Sequence, residues 1–277
     1  MLGVTILGNN SAVPAFDRHP TAQVLSTREH LYLIDCGEGT QIQIINYKIR
    51  RSRVHRIFIS HLHGDHYFGL IGLINSMGLL GRIQPLHIHA PGPLREILQL
   101  QLKEADTHLP FDLQFHPLPE EGFVAEDKNT TISCFRTNHR IACWGFLFTE
   151  KKPPAREHPP LPENAAPDNP AKAAPEKGKT YAFCADTRYD ERLIDKIRGA
   201  DWIYHETTYL DDLRTTAEAR YHSTSKQAAA IAAKAGVKNL LIGHFSSKYA
   251  ELEAFREEAA QIFPHTYLAL EGATFRF

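Results

Sequence analysis

No stretch of this chain is apolar for the roughly 18 residues that a membrane-spanning helix requires. The opening residues MLGVTILGNN carry neither a basic n-region nor an apolar run long enough for a secretory signal. The chain is therefore expected to be soluble and cytoplasmic, with no membrane partner. Cysteine is scarce and scattered: Cys36, Cys134, Cys143 and Cys184 form no CxxC pair and no dense framework, which excludes a disulfide-stapled secreted domain and leaves reduced thiols. An excess of one charge is also missing, since 31 Lys+Arg stand against 32 Asp+Glu for a formal net charge of −1. No global basic field points to nucleic acid, so any RNA contact must come from a local patch. No internal sequence repeat is present either.

What is present suffices for a full core: 277 residues with 43% hydrophobic content, either one large α/β unit or two small ones. β-rich runs open the chain at Val4 to Leu7, Ala22 to Ser26, Leu31 to Asp35 and Val54 to Ser60. After Ser60 helix-like and strand-like segments alternate: helices over Leu70 to Leu80 and Leu94 to Glu104, strands over Leu86 to His89, Leu113 to His116, Thr131 to Arg136 and Trp144 to Phe148. The second half repeats that style, with strands at Tyr181 to Cys184, Trp202 to His205 and Asn239 to Ile242 between helical Glu191 to Arg198, Lys226 to Lys234 and Ala250 to Ile262. Thr266 to Leu270 and Thr274 to Phe277 close the chain. Two β-rich halves carrying helices predict two sheets packed face to face with helices outside.

Residues 150–178 break this texture, holding eight of the 17 prolines and almost no large apolar side chain. Proline at that density favours extended, semi-stiff backbone, so the segment is expected to be a surface arm inserted in a single domain spanning 1–277.

The densest chemical signal is His61-Leu62-His63-Gly64-Asp65-His66, directly after the apolar run Ile57, Phe58, Ile59. Residues two apart in extended backbone point the same way, so His61 and His63 can address one metal. Gly64 is expected to allow a tight turn that sends Asp65 and His66 toward a second. Imidazole and carboxylate are ligands that zinc accepts. Asp186 and His244 also follow apolar strand-like runs, Tyr181 to Cys184 and Leu240 to Gly243, so both lie where loops of one rim can converge.

With this motif the chain resembles the metallo-β-lactamase superfamily, whose hallmark is HxHxDH after a strand, and within it the ribonuclease Z family of tRNA 3′-end processing endonucleases. The resemblance runs through LGNNSAVP, LIDCGEGTQ, FISHLHGDHYFGLIGL, NHRIACWGFLF, PEKGKTYAFCADTR, HETTY, HSTSKQAA and LLIGHFSSKY, nearly the whole chain. It implies an αββα sandwich of two mixed sheets. It also implies two zinc ions per chain, or manganese in their place: one held by His61, His63 and His139, the other by Asp65, His66 and His244, with Asp186 between them. Two such ions can make a shared water acidic and clamp both oxygens of an in-line displacement at phosphorus.

The reaction so implied is hydrolysis of precursor tRNA after the discriminator base, leaving a 3′-hydroxyl, with Asp65 orienting the water or accepting its proton. The resemblance assigns protonation of the leaving oxygen to His222, oriented by Glu206. It places Asp35 behind the metal loop. Lys177 and Lys179 match a basic loop near the cleavage site, although Lys179 stands where arginine is usual. Ser11 and Thr224 are candidates for holding phosphate oxygens, with turn bonding and helix capping as their alternatives. A homodimer is implied as well.

The resemblance departs in the arm. Only 46 residues (140–185) separate His139 from Asp186, no Gly-Pro tip occurs in 150–178, and Lys151, Lys152, Arg156, Lys172 and Lys177 are balanced by Glu150, Glu157, Glu163, Asp168 and Glu176. A phosphodiesterase or nuclease of other substrate range is therefore the alternative of the same chemistry. Lactonases and thioesterases of the superfamily, which attack carbonyl carbon, have no need of the Glu206, His222 and Thr224 set.

Overall fold

The computed structural model describes residues 2–151 and 178–277, so Lys177 and nearly all of the proline-rich arm lie outside the described residues. The strands of the first half are β1 (Gly3–Gly8), β2 (Ala22–Ser26), β3 (Leu31–Ile34), β4 (Val54–Phe58), β5 (Leu86–Ala90), β6 (Leu113–Pro117) and β7 (Gly122–Glu126). Those that follow are β8 (Thr130–Arg136), β9 (Trp144–Glu150), β10 (Thr180–Phe183), β11 (Trp202–Glu206), β12 (Asn239–Gly243), β13 (Thr266–Leu268) and β14 (Thr274–Arg276). Helices are α1 (Thr40–Asn46), α2 (Gly64–Tyr67), α3 (Leu70–Leu79), α4 (Leu94–Glu104), α5 (Leu193–Ile197), α6 (Arg214–Ala219), α7 (Ser225–Ala235) and α8 (Glu253–Ala260).

These strands form two seven-stranded sheets, in the orders β14-β1-β2-β3-β4-β5-β6 and β13-β12-β11-β10-β9-β8-β7. Both are mixed: β3 to β6 are mutually parallel in the first, and β10 to β13 in the second, while the remaining neighbours are antiparallel. The period of two along each strand decides which face a side chain covers. Tyr32, Ile34 and Phe58 point inward with Phe146, Phe148, Tyr181 and Phe183 to form an aromatic layer between the sheets, where Tyr32 and Phe148 stack at 6.0 Å. Leu33, Ile57 and Ile59 point outward and bury against Leu70, Leu73, Ile74 and Met77 on the α3 side of the first sheet.

On the far face of the second sheet, Ile203, Leu240 and Ile242 pack under α7 and α8. The α7 helix begins with a capping box between Thr224 and Gln227 and ends at Gly236, whose φ of 61° is the left-handed turn that glycine accepts at lowest cost. Between those signals Ala228, Ala229, Ala232 and Ala235 make a small-residue stripe that lets the helix lie close to the sheet.

Helix α1 and strand β7 were not legible in the sequence. α1 is a seven-residue helix whose Ile42 and Ile45 face solvent, and β7 is an edge strand with one buried residue, so neither shows a clean period.

Candidate metal centre

The chemistry-bearing residues sit just beyond the C-terminal ends of parallel strands, the rim at which open α/β sheets hold ligands. Asp35 follows β3, His61 follows β4, Asp186 follows β10, His244 follows β12, and Glu206 is the last residue of β11. Three of these turns run through positive φ in non-glycine residues: Asp35 at 56°, Ala185 at 50° and His244 at 61°. Such backbone is disfavoured for residues with a Cβ and persists only where the surroundings impose it, which here throws side chains inward from the strand ends.

His63 is still extended, and Gly64 then opens the short helix α2, which carries Asp65 and His66. This corrects the expected role of Gly64. It is not among the residues with positive φ; what glycine supplies is room, because a Cβ there would stand 2.2 Å from the Phe68 ring.

Two groups of ligand atoms result. In one, His63 Nδ1 lies 3.0 Å from His61 Nε2 and 3.1 Å from His139 Nε2, while Asp186 Oδ2 is 3.7 Å from the former and 3.9 Å from the latter. In the other, Asp65 Oδ2 lies 3.5 Å from His66 Nε2 and 3.4 Å from His244 Nε2. Asp186 faces both, with Oδ2 3.4 Å from His66 Nε2 and Oδ1 3.3 Å from His244 Nε2.

Three observations fit this arrangement to divalent cations. Ligands of a single tetrahedral zinc stand roughly 3.3 Å apart, the scale of these separations. Nε2 of His66 and of His244 are buried and have no hydrogen-bond partner, although both aim into the cluster. The electrostatics ask for positive charge: burial opposes a charge on His66, yet Asp186, Asp65 and Asp35 together hold its imidazole well above the usual range. Elsewhere in the cluster burial and neighbouring histidines outweigh the carboxylates, driving His61 well below its usual range and His63 down to about 4. Imidazoles that resist protonation, beside the carboxylates of Asp65 and Asp186 held below their ordinary range, are what a metal site requires, and a cation would take the place of the proton on His66.

Five of the seven ligands are held from behind. Asp35 Oδ2 lies 2.7 Å from His66 Nδ1 and accepts from Ser60 Oγ at 2.8 Å, while its Oδ1 accepts from Ser60 N at 2.7 Å. Ser60 Oγ also lies 3.0 Å from His61 Nδ1, and the Tyr221 carbonyl lies 3.0 Å from His139 Nδ1. Thr208 Oγ1 donates to Glu206 Oε2 at 2.7 Å and stands 2.9 Å from His244 Nδ1. Such outer contacts fix ring orientation and which nitrogen carries the proton. Ser60, Thr208, Tyr221 and the Ala12 amide, which donates to Asp65 Oδ2 at 2.8 Å, escaped sequence reasoning. A backbone carbonyl or amide leaves no signature in residue type.

Beside the cluster, His222 Nδ1 is 2.8 Å from Glu206 Oε1. Glu206 is fully buried and also accepts from Thr187 N, Ser223 N and Thr208 N. Burial, the largest single influence, opposes a charge on His222, but Glu206, Asp186 and Asp65 raise the imidazole to about 9. A cavity of about 610 Å³ opens over both groups and is lined by Ser11, Asp65, His139, Asp186, His222 and His244, among others.

Two expected substrate contacts lie elsewhere. Thr224 is buried, accepts from Gln227 N as the N-cap of α7 and donates to Asp211 Oδ1 at 2.8 Å, so capping occupies its hydroxyl. Lys179 precedes β10, at the end of that strand opposite Asp186, and pairs with Asp201 Oδ1 at 3.7 Å. Strand direction alone removes it from the rim.

Comparison with known proteins places this arrangement. The sequence pattern of a family described as "Anti-Pycsar protein Apyc1" matches residues 2–262. A ribonuclease Z of Bacteroides fragilis is 38% identical over 292 residues, covering 96% of each chain. One from Cytophaga hutchinsonii is 40% identical over 295 residues, covering 98% of this chain and 94% of its own. Among solved structures, the short form of human tRNase Z superposes with a TM-score of 0.79 at 27% identity, covering 99% of this chain and 98% of that one.

Proposed function

This chain belongs to the ribonuclease Z family, and we propose on that premise that it is a metal-dependent endoribonuclease removing 3′ trailers from precursor tRNA, cutting after the discriminator base and leaving a 3′-hydroxyl. The observation that carries the reading is the pair of ligand groups joined by the two oxygens of Asp186, with a carboxylate-held histidine beside them. His61, His63 and His139 would hold one cation and Asp65, His66 and His244 the other, with Asp186 shared; zinc suits this donor set and manganese is the alternative. When bound, such ions supply an acidified water and the charge that steadies the phosphate oxygens.

The residues do the rest. Asp65, anchored by the Ala12 amide, orients the attacking water or takes its proton. Nδ1 of His222 is committed to Glu206, which leaves Nε2 to carry a proton to the departing ribose oxygen. Ser11 lines the cavity where a phosphate would lie. We read residues 1–277 as one domain with 150–178 inserted as an arm, and Lys177 as a contact of the RNA. A cytoplasmic homodimer completes the proposal: no helix among the described residues is long and apolar enough to cross a membrane. Ile42, Ile45, Phe68 and Leu79 stay exposed on α1 and around α3, two helices that touch through Ser76 and Gln41.

The test is incubation of purified protein with a 3′-extended precursor tRNA and with a generic phosphodiester, comparing kcat/KM and identifying the new 3′ end. Preference for precursor tRNA with a 3′-hydroxyl product supports the reading. Equal efficiency on both would favour a phosphodiesterase of wider range.

A further inference from the structure

Two arginines line the cavity and a third packs on Tyr221 beside them, with no acid bound to any of the three among the described residues. Arg140 and Arg220 line it together with Tyr221, and the Arg188 guanidinium lies 4.9 Å from the centre of the Tyr221 ring. Their close partners are neutral: Arg140 Nη2 is 3.1 Å from His63 Nε2, and Arg220 Nη1 donates to Tyr209 Oη at 3.1 Å. Among the described residues none of the three has a carboxylate within 4.0 Å. Asp190, which feels Arg188 at longer range, is already clasped by Arg192 at 2.6 Å. Some surface arginines elsewhere are paired, as Arg198 with Asp195, Arg214 with Asp211 and Arg256 with Glu253, whereas Arg50 and Arg95, like these three, have no carboxylate within 4.0 Å among the described residues.

The backbone fastens this group to the site. His139 Nδ1 meets the Tyr221 carbonyl at 3.0 Å, Arg188 N donates to the Asn138 carbonyl at 3.0 Å, and Tyr221 itself has φ of 61°. The loops after β8, after β10 and before α7 are thus tied together, and their three cations stand on the His139 and His222 side. Outside the ligand groups, Glu38 is the one acid lining the cavity among the described residues.

We propose that Arg140, Arg188 and Arg220 form a rim that grips the phosphate backbone of the RNA beside the scissile bond. This rests on the RNA-hydrolase reading above. The rim supplies a local basic patch beside the ligand groups in a near-neutral chain, at a place where Lys179 cannot reach.

The experiment measures Kd of metal-loaded enzyme for a precursor tRNA with an uncleavable linkage at the cut site, between 50 and 200 mM salt, roughly the range over which such affinities change by orders of magnitude. Every arginine–phosphate pairing removed should flatten the slope of log K against log salt by about 0.7 to 0.9, so changing all three arginines to Gln should remove about 2. Lysine at the same positions should restore the slope, which a packing role would not. Lys103, Lys128 and Arg198, none of which lines the cavity, serve as a charge control whose change to Gln should leave the slope intact. Should the triple variant fail to fold, Arg140→Gln with Arg220→Gln carries the test, since both side chains are exposed. An unchanged slope in the folded variants overturns the rim alone, whereas a wild type without salt-dependent binding of precursor tRNA overturns the RNA-hydrolase reading with it.

Discussion

Glu206 Oε1 lies 2.8 Å from Nδ1 of His222, and the same carboxylate is clamped by the amides of Thr187, Ser223 and Thr208. A buried acid with so many fixed donors cannot turn away, so it holds His222 in one orientation.

Removing either partner should therefore slow the chemical step without emptying the metal site. His222→Ala is expected to lower kcat on precursor tRNA by on the order of 10² to 10⁴, with metal content unchanged. The Glu206→Ala, His222→Ala double variant should be little worse, because the pair acts as one unit. Additive losses in steady-state kinetics would show that the two residues act separately.

The pH profile follows from the same hydrogen bond. An acid must be protonated to act, so kcat should fall as pH rises through the His222 pKa. Burial opposes that charge and Glu206 leads the groups that raise it, to about 9 in the protein alone. Cations between Asp65 and Asp186 neutralise two of the other contributors, so the alkaline limb of the loaded enzyme should lie below 9. Glu206→Gln should move it further toward acid. A limb that stays in place in this variant rules out His222 as the group seen.

Asp35 should behave as a support for metal binding and for folding. Asp35→Ala strips the acceptor from Ser60 and His66, all fully buried. Loss of a buried charged partner costs about 3 to 5 kcal/mol, and removal of a group that orients a metal ligand costs about 10- to 100-fold in affinity. Denaturation in chelator and competition with a zinc indicator separate the two effects.

Metal content should track Asp186 more than His222. About two divalent ions per chain are expected at saturation, since seven N and O ligands exceed one tetrahedral site. Asp186→Ala should empty both positions and His222→Ala neither, as read by elemental analysis. Chelation should lower Tm of the wild type, because ion held at 100 times its Kd adds about 2.7 kcal/mol to stability.

Thr224→Ala should cost about 1 kcal/mol of stability, the worth of an N-cap, and leave KM for precursor tRNA unchanged. A raised KM at unchanged Tm would return Thr224 to the substrate side.

Local sequence determined the metal loop. His61, His63, Asp65 and His66 lie within six residues after a buried strand, so chain connectivity alone brings them together. The strands were legible for a similar reason, as short β-rich runs set off by turn residues, and the expected strand Ala22–Ser26 and helix Leu94–Glu104 match the structure at both ends. His139, Asp186 and His244 needed the family pattern to be found, because the apolar runs before Asp186 and His244 put them at strand ends without saying what they face. Only the tertiary structure decided the rest. It made Gly64 a seat for Phe68, Thr224 a helix cap and Lys179 a residue of the wrong strand end, and it set Arg140 against a histidine 77 positions away. Those outcomes depend on which strand end meets which loop, a property of two packed sheets that no sequence window contains.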